Sequence, residues 1–447
     1  MKNSLKRLLA LAAVTALTAA VPAPSALAQP PPGDGIRARI EAVPGMRLLG
    51  ERPAPPGQVV LDLAYRQPDD HRHPERGSFE QRLTLVHKSA ERPMVLHSSG
   101  YDLGSSPERP SEPAKLLDAN QITTEQRFFG TSRPGGPDWS TLTIWQAASD
   151  HHRLVAALKK VYRGAWISTG GSKGGMTAVY HRRFYPGDVA GTVAYSAPNN
   201  TNDGDDSAYD ARIEQVGTPE CRAAVKSVQR EALVRRSAMT ERYGRWAEEE
   251  QRTFRTLGSA DRAFELAVLR LPMMFWMHQP SGGCGSVPGA AATDDELYAW
   301  VSQVTQFPVY TDQTLDAYTP YFYQLGTQLG YAQFAAPHLD GLLRHPGVQE
   351  VRSYVPKDIP LRFQAGAMAD IDRWVRRDGR SLMFVNGEND VAVAEPFRLG
   401  AGTRDSYRFE VPDANHHISL TGLPPGDAEK ALATLRRWAV PALPAGG

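Results

Sequence analysis

The stretch Ser-Thr-Gly-Gly-Ser-Lys-Gly-Gly-Met-Thr-Ala, residues 168–178, decides the fold. An apolar run precedes it and a segment with helical periodicity, residues 173–184, follows it, so the pattern predicts a strand, a tight turn and a helix. The turn matches Gly-x-Ser-x-Gly, with Ser172 at its centre. We expect a strained turn that projects the Ser172 hydroxyl above the sheet edge. A side chain at Gly170 or Gly174 would collide with the neighbouring strand or helix.

A serine in this position becomes a nucleophile when a base accepts its proton and an acid orients that base. In a strand–turn–helix context of this kind the acid and then the histidine follow the serine along the chain. Asp390, after a late strand-like run, is the predicted acid, with Glu388 as the alternative. His416, near the C-terminus, is the predicted base, with His417 as the alternative.

Two backbone N–H groups are expected to stabilise the oxyanion that forms when the serine attacks a carbonyl. One belongs to Lys173, directly after the nucleophile, and the other to Tyr101, in the loop after the third predicted strand. The Lys173 side chain itself is expected to be a surface charge.

Alternating and helical runs divide the rest of the chain. Strand-like runs alternate with helices in residues 56–198 and return in 381–447, whereas residues 199–380 are dominated by helical stretches. Strands that alternate with helices favour a mostly parallel sheet. The prediction is an α/β fold, an α/β-hydrolase sheet interrupted by a large, mainly helical cap domain.

The composition excludes some partners. The chain has 447 residues, 41% hydrophobic and 22% charged, with a net charge of +1. A balanced charge of this kind provides no basic surface for nucleic acid or a membrane. His71 and His73 lie in a turn-rich connection without a third ligand nearby, so a solvated loop is favoured over a metal site. We expect no metal, no cofactor and a monomer.

The N-terminus resembles an export signal. Basic residues, an apolar stretch and the small-residue run Ala26-Leu27-Ala28 follow one another in the order of a secretory signal peptide, residues 1–28. A membrane anchor is the weaker alternative because prolines interrupt the apolar stretch. Residues 29–55 are predicted to be a leader or linker. Cys221 and Cys284 are expected to form a disulfide in a secreted protein, the alternative being two buried thiols.

Several motifs resemble those of secreted, proline-preferring serine peptidases, and most closely the prolyl tri- and tetrapeptidyl aminopeptidase family of Streptomyces type. Related proteins include prolyl carboxypeptidase and dipeptidyl peptidase II. The resemblance runs from about residue 55 to the C-terminus. The motifs are Gln67-Pro68-x-Asp70-His71, Gly77-x-Phe79-x-Gln81-Arg82, Ser99-Gly100-Tyr101, Leu117–Ile122, Glu125–Gly130, Ser132-Arg133-Pro134, Thr169–Met176 and Tyr323-Gln324.

The resemblance implies an α/β-hydrolase with a helical cap that releases tripeptides from free N-termini of peptides, often after proline, with Ser172, Asp390 and His416 as the triad. The family usually has Asn-His-Gly where this chain has Asn415-His416-His417. Competing functions are a secreted carboxylesterase or lipase with the same triad, and a catalytically silent binding protein.

An enzyme that acts at an N-terminus needs an acceptor for the substrate ammonium, since an unpaired buried charge is costly. Glu125 is one candidate, although pairing with Arg127 or a neighbouring basic group is an equal alternative. A proline pocket should be apolar and aromatic because the pyrrolidine ring has no N–H to bind. The candidate aromatic residues, each of which is otherwise a core residue, are Trp276, Tyr318, Tyr321 and Tyr323.

Overall fold

The structure is a computed structural model that describes residues 32–136, 138–279 and 283–440. The predicted signal peptide lies outside the described residues. The strands are β1 (Met46–Arg52), β2 (Val59–Pro68), β3 (Ser78–His87), β4 (Met94–Ser98), β5 (Asn120–Thr124), β6 (Trp166–Gly171), β7 (Gly191–Tyr195), β8 (Leu382–Gly387) and β9 (Tyr407–Val411). The helices are α1 (Pro32–Glu41), α2 (Glu112–Leu116), α3 (Ile144–Leu158), α4 (Lys173–Phe184), α5 (Ser207–Ile213), α6 (Pro219–Val234), α7 (Arg236–Glu249), α8 (Ala260–His278), α9 (Asp294–Thr305), α10 (Asp312–Gln324), α11 (Gly366–Asp378) and α12 (Pro425–Ala439).

The strands form one mixed sheet in the order β1-β2-β3-β5-β4-β6-β7-β8-β9. Strands β1, β2, β3 and β5 pair antiparallel, and β5, β4, β6, β7, β8 and β9 run parallel. The carboxyl ends of parallel strands meet at one edge of a sheet, which is where ligands bind in open α/β folds. This topology confirms the predicted α/β-hydrolase fold.

Helices cover both faces of the parallel strands, and the alternation of side chains explains how. Met94 and Leu96 of β4 pack on one face with Leu154 and Leu158 of α3. Val95, between them, packs on the other face in a cluster that includes Trp438 of α12. Strands buried on both faces read as continuous apolar runs, which is why β4 and β6 were visible in the sequence.

Residues 29–55 were predicted to be a leader or linker, and for the described part of this segment the prediction is wrong. The segment contains helix α1 and strand β1, and β1 pairs antiparallel with β2 along the edge of the sheet. Ile36 and Ile40 of α1 are buried in the core cluster under β2 and β3. The proline and glycine content near residue 30 concealed a helix whose apolar face anchors the N-terminal edge.

Helices α5 to α11 lie between β7 and β8 and form the cap. The apolar faces of α6 to α11 share one core cluster with α4 and with Phe384 of β8, and α5 packs in a second, smaller cluster, so the cap packs directly on the sheet domain. Cys221 of α6 and Cys284 are joined by a disulfide, with 5.5 Å between their Cα atoms. Within the described part of the chain, no helix is both long and apolar enough to cross a membrane.

The glycines around Ser172 are required by close backbone approach. A Cβ atom at Gly170 would collide with the backbone of Gly174, and one at Gly174 would collide with the carbonyl oxygen of Ser98 at the end of β4. By contrast, a Cβ atom at Gly171 would have no neighbour within 4 Å. The predicted steric reason for the two flanking glycines is therefore confirmed.

Replacement of Gly174 by alanine should destabilise the protein, because the added methyl group meets backbone that cannot move away. We expect the free energy of unfolding to fall by about 1–3 kcal/mol, measured by denaturant unfolding. Gly171→Ala is the matched control and should change this free energy by less than about 0.5 kcal/mol. Equal destabilisation by both substitutions would contradict the steric account.

Candidate active site

Ser172 lies at the turn between β6 and α4, at the carboxyl edge of the sheet. Its backbone has φ 51° and ψ −125°, a strained conformation for a residue with a side chain. The Ser172 N–H donates to the carbonyl oxygen of Tyr195 at the end of β7, at 2.8 Å. The neighbouring strand thus supports the conformation that projects the hydroxyl from the sheet.

His416 and Asp390 are brought together by two loops that follow β9 and β8. The His416 Nδ1 atom lies 2.7 Å from Asp390 Oδ2, and Asp390 is fully buried. The other Asp390 oxygen accepts the N–H of Ala392 at 2.9 Å, which fixes the carboxylate. The backbone N–H of His416 donates to the backbone carbonyl of Met277 in α8 at 3.2 Å, so the cap also helps to position His416.

The two alternative residues are placed elsewhere. Glu388 is exposed, and its carboxylate accepts the N–H of Asp413 at 3.1 Å. The His417 ring lies next to His278, with 3.3 Å between His417 Nε2 and His278 Nδ1. Of the candidate acids and bases, the buried hydrogen-bonded pair is Asp390 with His416.

The Ser172 hydroxyl shares a cavity with both histidines and hydrogen-bonds the Tyr101 hydroxyl, which also contacts the Tyr321 hydroxyl. Burial raises the pKa of Tyr101 well above its ordinary value, and the neighbouring tyrosines add to this effect. The Tyr101 backbone N–H, predicted to face the oxyanion, instead donates to Ser99 Oγ at 3.2 Å. Tyr101 therefore approaches the nucleophile with its side chain and not with its amide.

The Lys173 side chain is buried, so the prediction of a surface charge is wrong. Its Nζ donates to the Gly100 carbonyl at 2.6 Å and to Gln126 Oε1 at 2.7 Å. Burial lowers the pKa of this amine well below its ordinary value. Gln126 in turn donates to Gln324 Oε1 at 3.0 Å at the end of α10. The lysine thus ties the Tyr101 loop to the nucleophile turn and, through Gln126, to the cap.

Glu125 is buried and serves the backbone, and neither predicted role fits it. Its Oε1 accepts the N–H groups of Thr131 and Ser132, each at 3.0 Å, and the Ser132 hydroxyl at 2.8 Å. Its Oε2 accepts the N–H of Leu103 at 3.3 Å. These donors fix the carboxylate, so Glu125 holds the loop after β5 in place. It lines neither cavity at Ser172, and Arg127 pairs with Asp150 instead.

The four aromatic candidates separate into two pairs. The rings of Tyr318 and Tyr321 lie 5.6 and 5.3 Å from that of Tyr101, and Tyr321 lines a cavity that contains Ser172. Tyr323 instead packs on Trp139, with 5.3 Å between ring centroids. Trp276 lines a different cavity, between α6 and α8, and fills the space over Gly217. Tyr318 and Tyr321 contact Tyr101, whose hydroxyl reaches Ser172. Trp276 and Tyr323 pack elsewhere and line neither cavity at Ser172, so the predicted pocket role does not fit them.

Two cavities meet at Ser172. The larger, of about 570 Å³, is open to solvent and contains His416, His417 and the β6 end of the nucleophile turn. The smaller, of about 90 Å³, extends beneath the cap and is lined mainly by apolar side chains. A nucleophile between an open cleft and a closed pocket can bind one side of a scissile bond in each.

Comparison with known proteins agrees with this arrangement. Residues 29–445 match the family described as PS-10 peptidase S37. The chain belongs to this family. It is 50% identical over 440 residues to prolyl tri/tetrapeptidyl aminopeptidase from Streptomyces mobaraensis, covering 97% of this chain and 92% of that protein. A shorter match, 38% identical over 96 residues, relates 19% of this chain to 20% of lysosomal Pro-X carboxypeptidase from Mus musculus.

Among solved structures, proline iminopeptidase from Mycobacterium smegmatis aligns with a TM-score of 0.41 and 13% identity, covering 84% of this chain and 98% of that one. Sequence reasoning missed the Tyr101 hydroxyl and the Lys173 side chain. The signal for Lys173 was its place as the first residue of a helix between two pairs of glycines, where backbone packs closely and leaves little access to solvent.

Proposed function

We propose that this protein is a secreted serine peptidase that releases tripeptides or tetrapeptides from free peptide N-termini, with a preference for proline before the cleaved bond. The buried His416–Asp390 pair beside Ser172 carries this proposal. Membership of a peptidase family favours peptide over acyl-ester substrates. The 50% identical relative supports the peptide length and the preference for proline.

In the proposed reaction, Ser172 Oγ attacks the carbonyl carbon of the scissile peptide bond and His416 accepts the hydroxyl proton. His416 then gives this proton to the leaving amine as the C–N bond breaks, which leaves an ester between Ser172 and the released segment. Water hydrolyses the ester by the same steps. Asp390 holds the imidazole in the required tautomer and stabilises its charged form.

The Ser172 hydroxyl must leave Tyr101 before it donates to His416. His416 borders the larger cavity that contains Ser172, whereas Tyr101 contacts the Ser172 hydroxyl directly. We expect rotation about the Cα–Cβ bond of Ser172 to exchange the two partners. Catalytic hydrogen bonds of this kind often form only when substrate is bound.

The oxyanion has two proposed donors. The Lys173 N–H, at the first residue of α4, has no partner within the helix and lies at the positive end of the helix dipole. The Tyr101 hydroxyl is the second donor, since its raised pKa keeps it protonated at neutral pH. The Tyr101 hydroxyl donates to the Tyr321 hydroxyl in this structure, so it must turn from Tyr321 towards the negatively charged oxygen when that oxygen forms.

Secretion is supported by the order of residues at the N-terminus and by the disulfide between Cys221 and Cys284, which is typical of oxidising compartments.

The function is tested with a chromogenic Ala-Ala-Pro amide whose N-terminus is free or acetylated. We expect the free-amine substrate to be cleaved with a kcat/KM at least about 100-fold above that of the acetylated one, because loss of a buried ion pair costs several kcal/mol. Rapid hydrolysis of short acyl esters without peptide cleavage would contradict the proposal and favour a carboxylesterase.

The role of the Tyr101 hydroxyl is tested by Tyr101→Phe. Removal of one oxyanion donor should lower kcat about 100-fold with little change in KM. Tyr318→Phe is the control, because it removes a tyrosine hydroxyl from a ring that packs against the ring of Tyr101. It should leave kcat within about threefold of wild type. Equal loss in both variants would contradict a specific role for the Tyr101 hydroxyl, since both substitutions keep the ring.

A further inference from the structure

The smaller cavity follows helix α8 away from the catalytic residues. Met277, whose carbonyl accepts the His416 N–H, lines its near end, and Arg270, seven residues earlier in α8, lines its far end. At 1.5 Å per residue these positions lie about 10 Å apart along the helix. Three residues of extended peptide also span about 10 Å. The span along α8 therefore matches the length of a tripeptide that runs from the catalytic residues towards Arg270.

The carboxylate of Asp203 lies behind the residues that line this far end. Gly330 and Tyr331 line the cavity, and Asp203 Oδ1 accepts the Tyr331 N–H at 2.6 Å. A Cβ atom at Gly330 would lie 3.1 Å from Asp203 Oδ1 and 2.8 Å from the Asn200 amide. Since Gly330 has no side chain, its backbone packs closely against these two polar groups, and Asn200 itself lines the cavity.

Asp206 adjoins Asp203, and Glu395 adjoins Asp206. Burial raises the pKa of Asp206, and the charges of Asp203 and Asp210 add to the rise. Burial likewise raises the pKa of Glu395, with further contributions from Asp205 and Asp206. One oxygen of Asp206 and one of Glu395 are buried without a hydrogen-bond partner.

In the described ranges none of Asp203, Asp206 and Glu395 forms an ion pair. Like charges held together out of water are costly unless a cation joins them.

A separate observation at the cavity wall points to a ligand. Asn200 is 5% exposed, it lines the cavity, and its Oδ1 has no hydrogen-bond partner. A buried amide oxygen without a partner is rare in folded proteins because its desolvation is not repaid. An N–H donor that enters the cavity would satisfy it.

We propose that Asp203, Asp206 and Glu395, together with Asn200, form the subsite that binds the N-terminal ammonium group of the substrate. We call these three acids the acidic subsite. The ammonium supplies a cation that pairs with the acids, a pairing that Arg270 does not make in the described ranges, and it also supplies the missing donors. The spacing along α8 matches three residues between this group and the cleaved bond. This inference rests on the proposed function, because it requires that the peptide carbonyl is attacked at Ser172.

Arg270 lies at the same end and defines the competing outcome. Its guanidinium donates to the Ala332 carbonyl at 2.7 Å and lies over the Tyr331 and Phe334 rings, and among the described residues it forms no ion pair. Arginine binds a substrate carboxylate well, so a pocket built around Arg270 would select a free C-terminus. The three acids around it make the local charge negative, which favours an ammonium.

The test compares wild type with the double variant Asp206→Asn/Glu395→Gln on free and N-acetylated Ala-Ala-Pro amides. In the wild type we expect the free amine to be preferred at least about 100-fold, and in the double variant we expect this ratio to fall to below about fivefold. The ratio separates amine recognition from general damage, which lowers turnover of both substrates. The measurement is kcat/KM for each substrate at neutral pH.

Asp205→Asn is the matched control, because it removes one negative charge from the same loop at an exposed position. It should leave the ratio within about twofold of wild type. If the double variant is poorly folded, Glu395→Gln alone should still lower the ratio about tenfold.

Each of three results would overturn the acidic subsite, the proposed function or both. Retention of the free-amine preference in both acid variants would overturn the acidic subsite and leave the proposed function intact. Cleavage of neither substrate by the wild type would overturn the proposed function and the subsite with it. Cleavage that requires a free C-terminal carboxylate would assign the far end of the cavity to Arg270.

Discussion

The backbone conformation of Ser172 is the constraint on which the rest of the site depends. A left-handed φ of 51° at a residue with a side chain is costly, and it persists because β7 accepts the Ser172 N–H and because glycines allow β4, β6 and α4 to touch. The same close approach brings the carboxyl ends of β4 and β6 together, so the Tyr101 loop lies directly against the nucleophile. Strain at one residue is thus balanced by packing across three strands.

Buried ionisable groups are the second feature that organises the site, and they are stabilised to different extents on the two sides of Ser172. Under the Tyr101 loop, the Lys173 amine is surrounded by oxygen acceptors and aromatic rings, which hold it in place. At the far end of the smaller cavity, the acidic subsite is compensated only in part: Asp203 and Asp206 each accept one backbone N–H, and Arg270 acts on Asp206 without an ion pair in the described ranges. The first arrangement maintains a fixed geometry, while the second has an electrostatic deficit that a bound cation removes. The buried amine that fixes the structure therefore has its hydrogen-bond partners, whereas the acids proposed to bind substrate keep oxygens that a ligand can satisfy.

Most of the sheet and the order Ser172, Asp390, His416 were readable from the sequence, because apolar runs and glycine-rich turns are local signals. The residues that complete the site were not. Lys173 was misread because its burial comes from the Tyr101 loop, and Glu125 because its partners are backbone N–H groups that the sequence does not mark. The acidic subsite joins a loop after β7 to one after β8, nearly 200 residues away, and only the folded chain brings Asp206 and Glu395 together. Strand β1 was missed for a simpler reason, since its pattern is half exposed and proline-rich segments flank it.

The central claim, that Ser172 is the nucleophile and His416 its base, is tested most directly by labelling with a fluorophosphonate followed by peptide mass spectrometry. The account predicts one covalent adduct, on the Ser172 hydroxyl, formed rapidly in the wild type and at least about 1000-fold more slowly in His416→Ala. An adduct on another residue, or labelling of Ser172 at the same rate without the imidazole, would contradict it.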